Sequence, residues 1–210
     1  MKKKGILIVV SGFAGSGKGT IMKELTKRYD NYRVSVSATT RKPRPMEEDG
    51  RDYFFKTKEE FEKMIDKGEL LEYAEYVGNY YGTPRAFVEE TLNSGKDVIL
   101  EIEYMGAFKV KAKFAEAVLV FISPPSVEEV YNRLKKRGTE TEDVIRKRLV
   151  RGKEEAEIIN KYDYLIINDD LEECIEDIHN TIQSAKNAIR QNNDFIGEMI
   201  KEFDQFLTRN

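Results

Sequence analysis

A single cysteine, Cys174, cannot close an internal disulfide, and a single histidine, His179, leaves the chain without a Cys/His set for zinc or a Ser-His-Asp triad. Long apolar runs are missing too. The longest near the N-terminus, Ile6 to Val10, falls far short of the ~20 residues of a membrane span and of a secretory apolar region, despite Lys2, Lys3 and Lys4 before it. The chain is therefore expected to be neither exported nor membrane-embedded, and to work in the cytoplasm. Nor does one sign of charge dominate: 35 Lys+Arg against 38 Asp+Glu give a net charge of −3, which points away from a nucleic acid polymer or a membrane as partner. What remains for chemistry is carboxylates, Lys, Arg, hydroxyls and backbone amides.

The 210 residues, 40% of them hydrophobic, suit one globular domain with insertions or two small ones. Five short apolar runs, Gly5–Val10, Arg33–Ser37, Asp97–Ile102, Ala117–Ile122 and Tyr164–Ile167, mostly lack polar alternation. Strands buried on both faces of a parallel sheet read this way. Helical periods lie between them, at Ile21, Leu25 and Tyr29; at Val127, Val130 and Leu134; at Ile145 and Leu149; and from Leu171 through Ile175 and Ile178 to Ile182. Strand and helix patterns in alternation imply an α/β fold.

A capping box, Thr57-x-x-Glu60, opens a short helix that Gly68 closes. That helix sits in a Tyr/Arg/Glu-rich stretch from about Val36 to Gly95, a small α+β insertion entered through Pro43 and Pro45. Ser126-x-x-Glu129 caps a helix running to Gly138, and another follows from about Thr141. Cys174 shares an apolar face with Leu171 and Ile178 and reads as a buried thiol, with His179 beside it facing solvent. The stripe from Ile196 to Leu207 is amphipathic and must be covered by its own domain or by another subunit.

Ser11-Gly12-Phe13-Ala14-Gly15-Ser16-Gly17-Lys18-Gly19-Thr20 follows the first strand and opens a helix. Glycines there let successive N–H groups turn inward while the helix N-terminus adds positive potential, a concavity for phosphate. Gly12-x4-Gly17-Lys18 fits the Walker A spacing, with Lys18 placed to bridge the outer phosphates of a nucleoside triphosphate. Gly19 stands where a Ser or Thr ordinarily ligates Mg²⁺, and Thr20 follows one residue later. The Gly-Lys-Gly-Thr form resembles adenylate kinases, so the metal is expected mainly on phosphate oxygens and water.

Within the insertion, Ser37-Ala38-Thr39-Thr40-Arg41-Lys42-Pro43-Arg44 sets two guanidiniums three residues apart on a proline-stiffened loop, suited to a phosphate. Tyr53 and Tyr81 could add phenolic donors.

The ordered set of the phosphate loop, Ser37–Arg44, Gly50–Phe55, Glu72 through Thr83, Leu100–Gly106, Ser123-Pro124-Pro125, Arg137-Gly138-Thr139-Glu140 and Ile167–Asp170 resembles guanylate kinases over about residues 5 to 185. The resemblance implies a P-loop NTPase core with a mostly parallel five-stranded sheet, a GMP-binding insertion and a helical lid. It also implies the reaction ATP + GMP giving ADP + GDP, with Mg²⁺ and with dGMP as a further substrate. Carried over by position, Gly12 through Thr20 would bind ATP, with Arg133, Arg137, Asn168 and Asp169 beside it. Arg41, Arg44, Tyr53 and Tyr81 would grip the GMP phosphate while Ser37, Glu72 and Thr83 read the base. The chemistry agrees with that implication: guanine presents N1–H and an N2 amine that one carboxylate such as Glu72 can accept together, and an O6 that accepts from a hydroxyl such as Ser37 or Thr83. Adenine, with a lone pair at N1, would face that carboxylate unpaired.

Lys18, Arg41, Arg137 and Arg148 would be catalytic. Arg133, Arg137 and Arg148 match lid positions; Arg151 does not, and reads as solvated. Leu100-Glu101-Ile102-Glu103 is read as a strand end with both carboxylates on one face. Glu101 would help order Mg²⁺ and its water, with Thr20 as a further metal contact, and Glu103 would touch guanine or its ribose side. Both depart from the usual Asp of the pattern, as Met105 departs from Gln.

The implied organisation is a core of residues 1–35 and 94–190 with the lid within about 127–157, an insertion of 36–93, and a C-terminal extension of 191–210. The chain could act as a monomer or a homo-oligomer. Other readings are a non-catalytic protein-binding domain of this type, or a P-loop kinase with a different phosphorylated acceptor.

Overall fold

A computed structural model describes residues 4–76, 78–136, 138 and 141–209. Lys2, Lys3, Arg137, Thr139 and Glu140 lie outside the described residues, and with them the sequence expectations that fall on them.

The chain begins with β1 (Leu7–Gly12), α1 (Lys18–Arg28) and β2 (Tyr32–Val34), then crosses into β3 (Ala38–Thr39), β4 (Phe54–Phe55), α2 (Lys58–Asp66), β5 (Leu70–Tyr76) and β6 (Asn79–Pro84). It returns through α3 (Arg85–Asn93) to β7 (Asp97–Glu101), α4 (Tyr104–Lys113) and β8 (Val118–Ser123). Two helices, α5 (Val127–Lys136) and α6 (Glu142–Ala156), precede β9 (Tyr164–Ile167), α7 (Leu171–Ala185) and α8 (Asn193–Arg209).

Five strands form a parallel sheet in the order β2-β7-β1-β8-β9. Its apolar strands bury both faces, and the pleat sorts them by parity. Ile6, Ile8 and Val10 of the first run pack with Ile21, Met22 and Leu25 of α1 and with Cys174, Ile175, Ile178 and Ile182 of α7. Leu7 and Val9 point the other way, onto Val88 of α3 and Ala107 and Val110 of α4. Burial pushes the Cys174 thiol up to about 11, so it stays protonated within the core.

The second sheet, β4-β3-β6-β5, is mixed: β3 pairs parallel with β4 and antiparallel with β6, and β6 runs antiparallel to β5. Helix α2 closes one face of it, with Phe61 packed against Ala38, Leu70 and Tyr80. Both halves of the capping box form: the Glu60 N–H donates to Thr57 Oγ1, and the Thr57 N–H donates to the Glu60 carboxylate. Ser126 likewise accepts from the Glu129 N–H at the start of α5.

Three expectations need correction. The run Arg33–Ser37 is a strand only as far as Val34, because Ala38 and Thr39 pair into the second sheet and pull the chain away. Likewise β7 stops at Glu101, so Glu101 and Glu103 do not share a strand face. Glu103 instead stands at the N-terminal boundary of α4, with no capping hydrogen bond from its side chain. His179 does not simply face solvent: it stacks on Tyr29 at 3.7 Å between ring centroids, with Nδ1 2.8 Å from the Tyr32 hydroxyl.

Asp97 anchors the edge of the core. Its fully buried carboxylate accepts from the Ile6 N–H at 3.0 Å, from Asn31 Nδ2 at 3.0 Å and from Lys186 Nζ at 2.8 Å. Replacing it with alanine leaves an ammonium and an amide without this acceptor, so Asp97→Ala is expected to destabilise the protein by about 3–5 kcal/mol. Urea denaturation followed by circular dichroism checks this.

Candidate active site

The phosphate loop leaves the carboxyl end of β1, in the middle of the sheet, where open α/β sheets bind ligands. Gly17 precedes α1 in the left-handed region at φ 88°, and a Cβ there would lie 2.6 Å from Asn168 Nδ2. That amide donates to the Ser16 carbonyl at 2.7 Å, and Arg133 donates from behind to the Asn168 carbonyl at 3.0 Å. Asn168 and Arg133 thus brace the loop from outside. Lys18 arches over it, its Nζ donating to the carbonyls of Gly12 at 2.7 Å and Phe13 at 3.2 Å.

Beside the loop opens a cavity of about 470 Å³. Lys18 lines it together with Ser37, Arg41, Arg44, Tyr53, Glu72, Tyr81, Glu101 and Glu103, so nine of the sequence-derived residues meet in one space. Gly12 through Gly17, Gly19 and Thr20 belong to the loop and helix alongside. Arg148 is half-buried on α6 and Asp169 is exposed after β9; neither lines the cavity. Arg137 lies outside the described residues.

One end of the cavity is built around Glu72, only 4% exposed on β5. Burial raises its carboxyl above the usual range, partly offset by the hydrogen bond from Thr83 and by Lys109 and Lys113 nearby. Thr83 is fully buried and is not in the cavity wall; its hydroxyl donates to Glu72 Oε1 at 2.8 Å. That hydrogen bond orients Glu72 from behind the cavity wall. Gly106 makes room opposite, since a Cβ there would lie 3.0 Å from Glu72 Oε2.

At the other end, Arg41 Nη2 pairs with Glu47 Oε1 at 2.9 Å, and the Arg44 N–H donates to Glu47 Oε2 at 2.7 Å. The hydrogen bond from Arg41 holds the Glu47 carboxyl below its ordinary value. Arg41 also lies 5.3 Å over the Tyr53 ring, which meets Tyr81 edge-on at 6.2 Å. Burial raises the Tyr53 phenol, keeping it a proton donor.

Between the two ends, Glu101 opens on the cleft close to Lys18. Crowding by protein raises its carboxyl, and the Lys18 charge opposes that shift.

Sequence reasoning missed Glu47, Ser35, Arg51, Asp52 and Gly106, although Arg51 and Asp52 sit inside the quoted Gly50–Phe55 motif. Arg151 was misplaced as solvated. It lines the cavity and donates to Glu103 at 3.0 Å and to Glu155 at 3.4 Å. Its spacing of three from Arg148 was the available signal, but not which neighbour it would reach.

A parallel sheet whose central strand feeds a glycine-rich anion loop, opening on a cavity with paired guanidiniums, defines a P-loop phosphotransferase. Comparison with known proteins makes this specific. The guanylate kinase family model matches residues 4–185. A guanylate kinase of Halalkalibacterium halodurans is 55% identical over 190 residues, covering 90% of this chain and 93% of its own. That of Clostridioides difficile is 52% identical over 200 residues, covering 95% and 98%. The crystal structure of guanylate kinase from Anaplasma phagocytophilum superposes with a TM-score of 0.74 at 33% identity, covering 91% of each chain. The chain belongs to the guanylate kinase family, and is an enzyme of the nucleoside monophosphate kinase class. Among the described residues, no helix is long and apolar enough to cross a membrane.

Glu155 gives the site a pH signature. Burial and the nearby Glu103 charge push its carboxyl up to about 7, against the opposing pull of Arg151 and Lys18. The folded state therefore holds this proton more tightly than the unfolded chain. The resulting stabilisation is complete below about pH 4.5 and is lost as pH rises through about 7. Glu155→Gln cannot ionise, so its Tm is expected to fall less than the wild-type Tm between pH 5 and pH 8, as measured by thermal unfolding across that range.

Proposed function

We propose a division of labour for the guanylate kinase reaction, in which a phosphoryl group passes from ATP to GMP. The loop from Gly12 to Thr20 cradles the donor phosphates, with Lys18 bridging the outer ones. Asn168 and Asp169 border the donor nucleoside. Arg41, Arg44, Tyr53 and Tyr81 clamp the phosphate of GMP, and Ser37 and Glu72 read its base, with Thr83 holding Glu72. Guanine's N1–H and N2 amine supply two donors to a carboxylate that is otherwise costly to bury. The single observation that carries this reading is that Lys18, the Arg41/Arg44 pair and Glu72 line one cavity.

The attacking group is an oxygen of the GMP phosphate, already anionic, so the γ-phosphorus is attacked without a strong general base and ADP departs. Rate then depends on holding the two phosphates in line and on neutralising the charge spread over the transferring group. Lys18, Arg41 and the lid arginines Arg133, Arg137 and Arg148 provide that positive field.

For Mg²⁺, the donor set on offer is one carboxylate, Glu101, beside the P-loop lysine, with the Thr20 hydroxyl at the start of α1. One carboxylate supplemented by substrate phosphates and water suits Mg²⁺, a hard cation that sheds its waters reluctantly. Such an ion, when bound, supplies charge neutralisation at the phosphates. Turnover of dGMP as well as GMP, and action in the cytoplasm, complete the reading.

A panel of GMP, dGMP, AMP, UMP and CMP with ATP and Mg²⁺ tests the assignment, with turnover expected for the guanine members alone. Lys18→Ala is expected to lower kcat by about 10²-fold or more with the circular dichroism spectrum unchanged. Glu72→Ala is expected to raise KM for GMP by at least about tenfold while KM for ATP stays near the wild-type value, as read in a coupled ADP-release assay. An unaltered KM for GMP would remove Glu72 from the base site.

A further inference from the structure

The lid helix α6 is attached to the rest of the molecule on two sides. Its apolar side, Ile145 and Leu149, packs with Val130 and Leu134 of α5 and with Phe13 of the phosphate loop. Its other attachment is ionic and crosses to the acceptor cavity. Arg151 Nη2 donates to Glu103 Oε2 at 3.0 Å, Nε donates to Glu155 Oε1 at 3.4 Å, and the guanidinium lies 5.9 Å over the Tyr104 ring.

Glu103 immediately precedes α4, and its side chain is 54% exposed. A carboxylate so exposed ordinarily samples several rotamers, and fixing it has an entropic cost. A planar guanidinium held on one side by Glu155 and lying over Tyr104 is a stiff partner that can fix it. Arg151 and Glu103 both line the cavity that holds Glu72 and Arg41. The ion pair therefore joins a lid helix to the wall of the acceptor site, across 48 positions of sequence.

We propose that Arg151 is a positioning residue for the acceptor nucleotide: it holds Glu103 in the wall of the cavity, so that the lid helix and the GMP site are fixed relative to each other. This rests on reading the cavity as the GMP site. The length of Glu103 matters to the contact, because an aspartate there would withdraw its carboxylate by one methylene from the guanidinium.

Steady-state kinetics of the wild type, R151A, R151K, E103D and the double variant R151A/E103D, with each substrate varied in turn and Tm measured alongside, test the proposal. R151A and E103D are each expected to raise KM for GMP about tenfold, with KM for ATP within about twofold of the wild type. R151K, which keeps the charge without the planar fork, gives a smaller rise. The double variant is no worse than either single one, because both remove the same contact.

An R151A or R151K enzyme with wild-type KM for GMP overturns the proposal. So do single effects that multiply in the double variant, or KM values for both substrates that rise together as Tm falls. Should R151A fail to fold, R151K and E103D decide by the same criteria. A wild-type enzyme that did not turn over GMP in this assay would overturn the GMP reading, whereas wild-type turnover with unaffected variants would overturn this inference alone.

Discussion

Concentrated positive charge around a single cavity is the constraint from which the other features of this site follow. Lys18, Arg41, Arg44, Arg51 and Arg151 all reach the same space, and like charges this close repel unless something intervenes. Carboxylates intervene at nearly every one. Glu47 holds Arg41, Glu48 and Asp52 hold Arg51, Glu103 and Glu155 hold Arg151, and Glu101 lies near Lys18. The interleaving keeps the guanidiniums pointed without a ligand. On the proposed reading, an entering phosphate competes with a resident carboxylate, Glu47 above all, so affinity depends on the difference between two ion pairs and hence on fit.

The sheet determines where these charges meet. Val10 of β1 lies in register with Glu101 of β7, so the loop carrying Lys18 and the segment carrying Glu101 and Glu103 leave the sheet side by side at its carboxyl end. One strand further out, the chain leaves β2 after Val34 and runs into the second sheet, delivering Ser37 and then Arg41 to the same opening. Three consecutive segments of one sheet edge thereby form three walls of one cavity. Phe13 packing on Phe121 at 4.9 Å, and with Val130 and Leu134, ties the phosphate loop to α5 as well.

What was legible in the sequence was what local patterns encode. The parallel sheet showed in the continuous apolar runs, because burial on both faces removes polar alternation from each strand regardless of its neighbours. The capping box at Thr57, the Ser126 cap and the glycine-rich loop are likewise complete within a few residues. Features that depend on distant partners were not legible. Arg151 looked like one more basic residue on a helix, since its partner Glu103 comes from another element. The hydrogen bond from Thr83 to Glu72 was not legible either, because nothing local says that a carboxylate on the neighbouring strand takes its proton. The end of β7 was overextended by two residues for a related reason: Leu100-Glu101-Ile102-Glu103 alternates like a strand, yet the chain turns into α4 there. Helices α3 and α4 were not legible, because α3 offers only Ala86, Phe87, Val88 and Leu92 and the apolar residues of α4, from Tyr104 and Met105 to Phe108 and Val110, are spread around the helix with no clear stripe.

On the proposed reading, in which Glu72 faces the base, its buried carboxylate has a chemical consequence beyond choosing guanine over adenine. Loss of the exocyclic amine by hydrolysis turns guanine into xanthine, replacing a donor with a carbonyl oxygen at the very edge that Glu72 would face. Two oxygens rich in electron density would then oppose each other away from water, a mismatch of the kind that leaves a buried charge without compensation. A carboxylate that admits the intact base in this way would also screen out its hydrolytically damaged form, and this step would withhold a phosphate from a nucleotide unfit for copying.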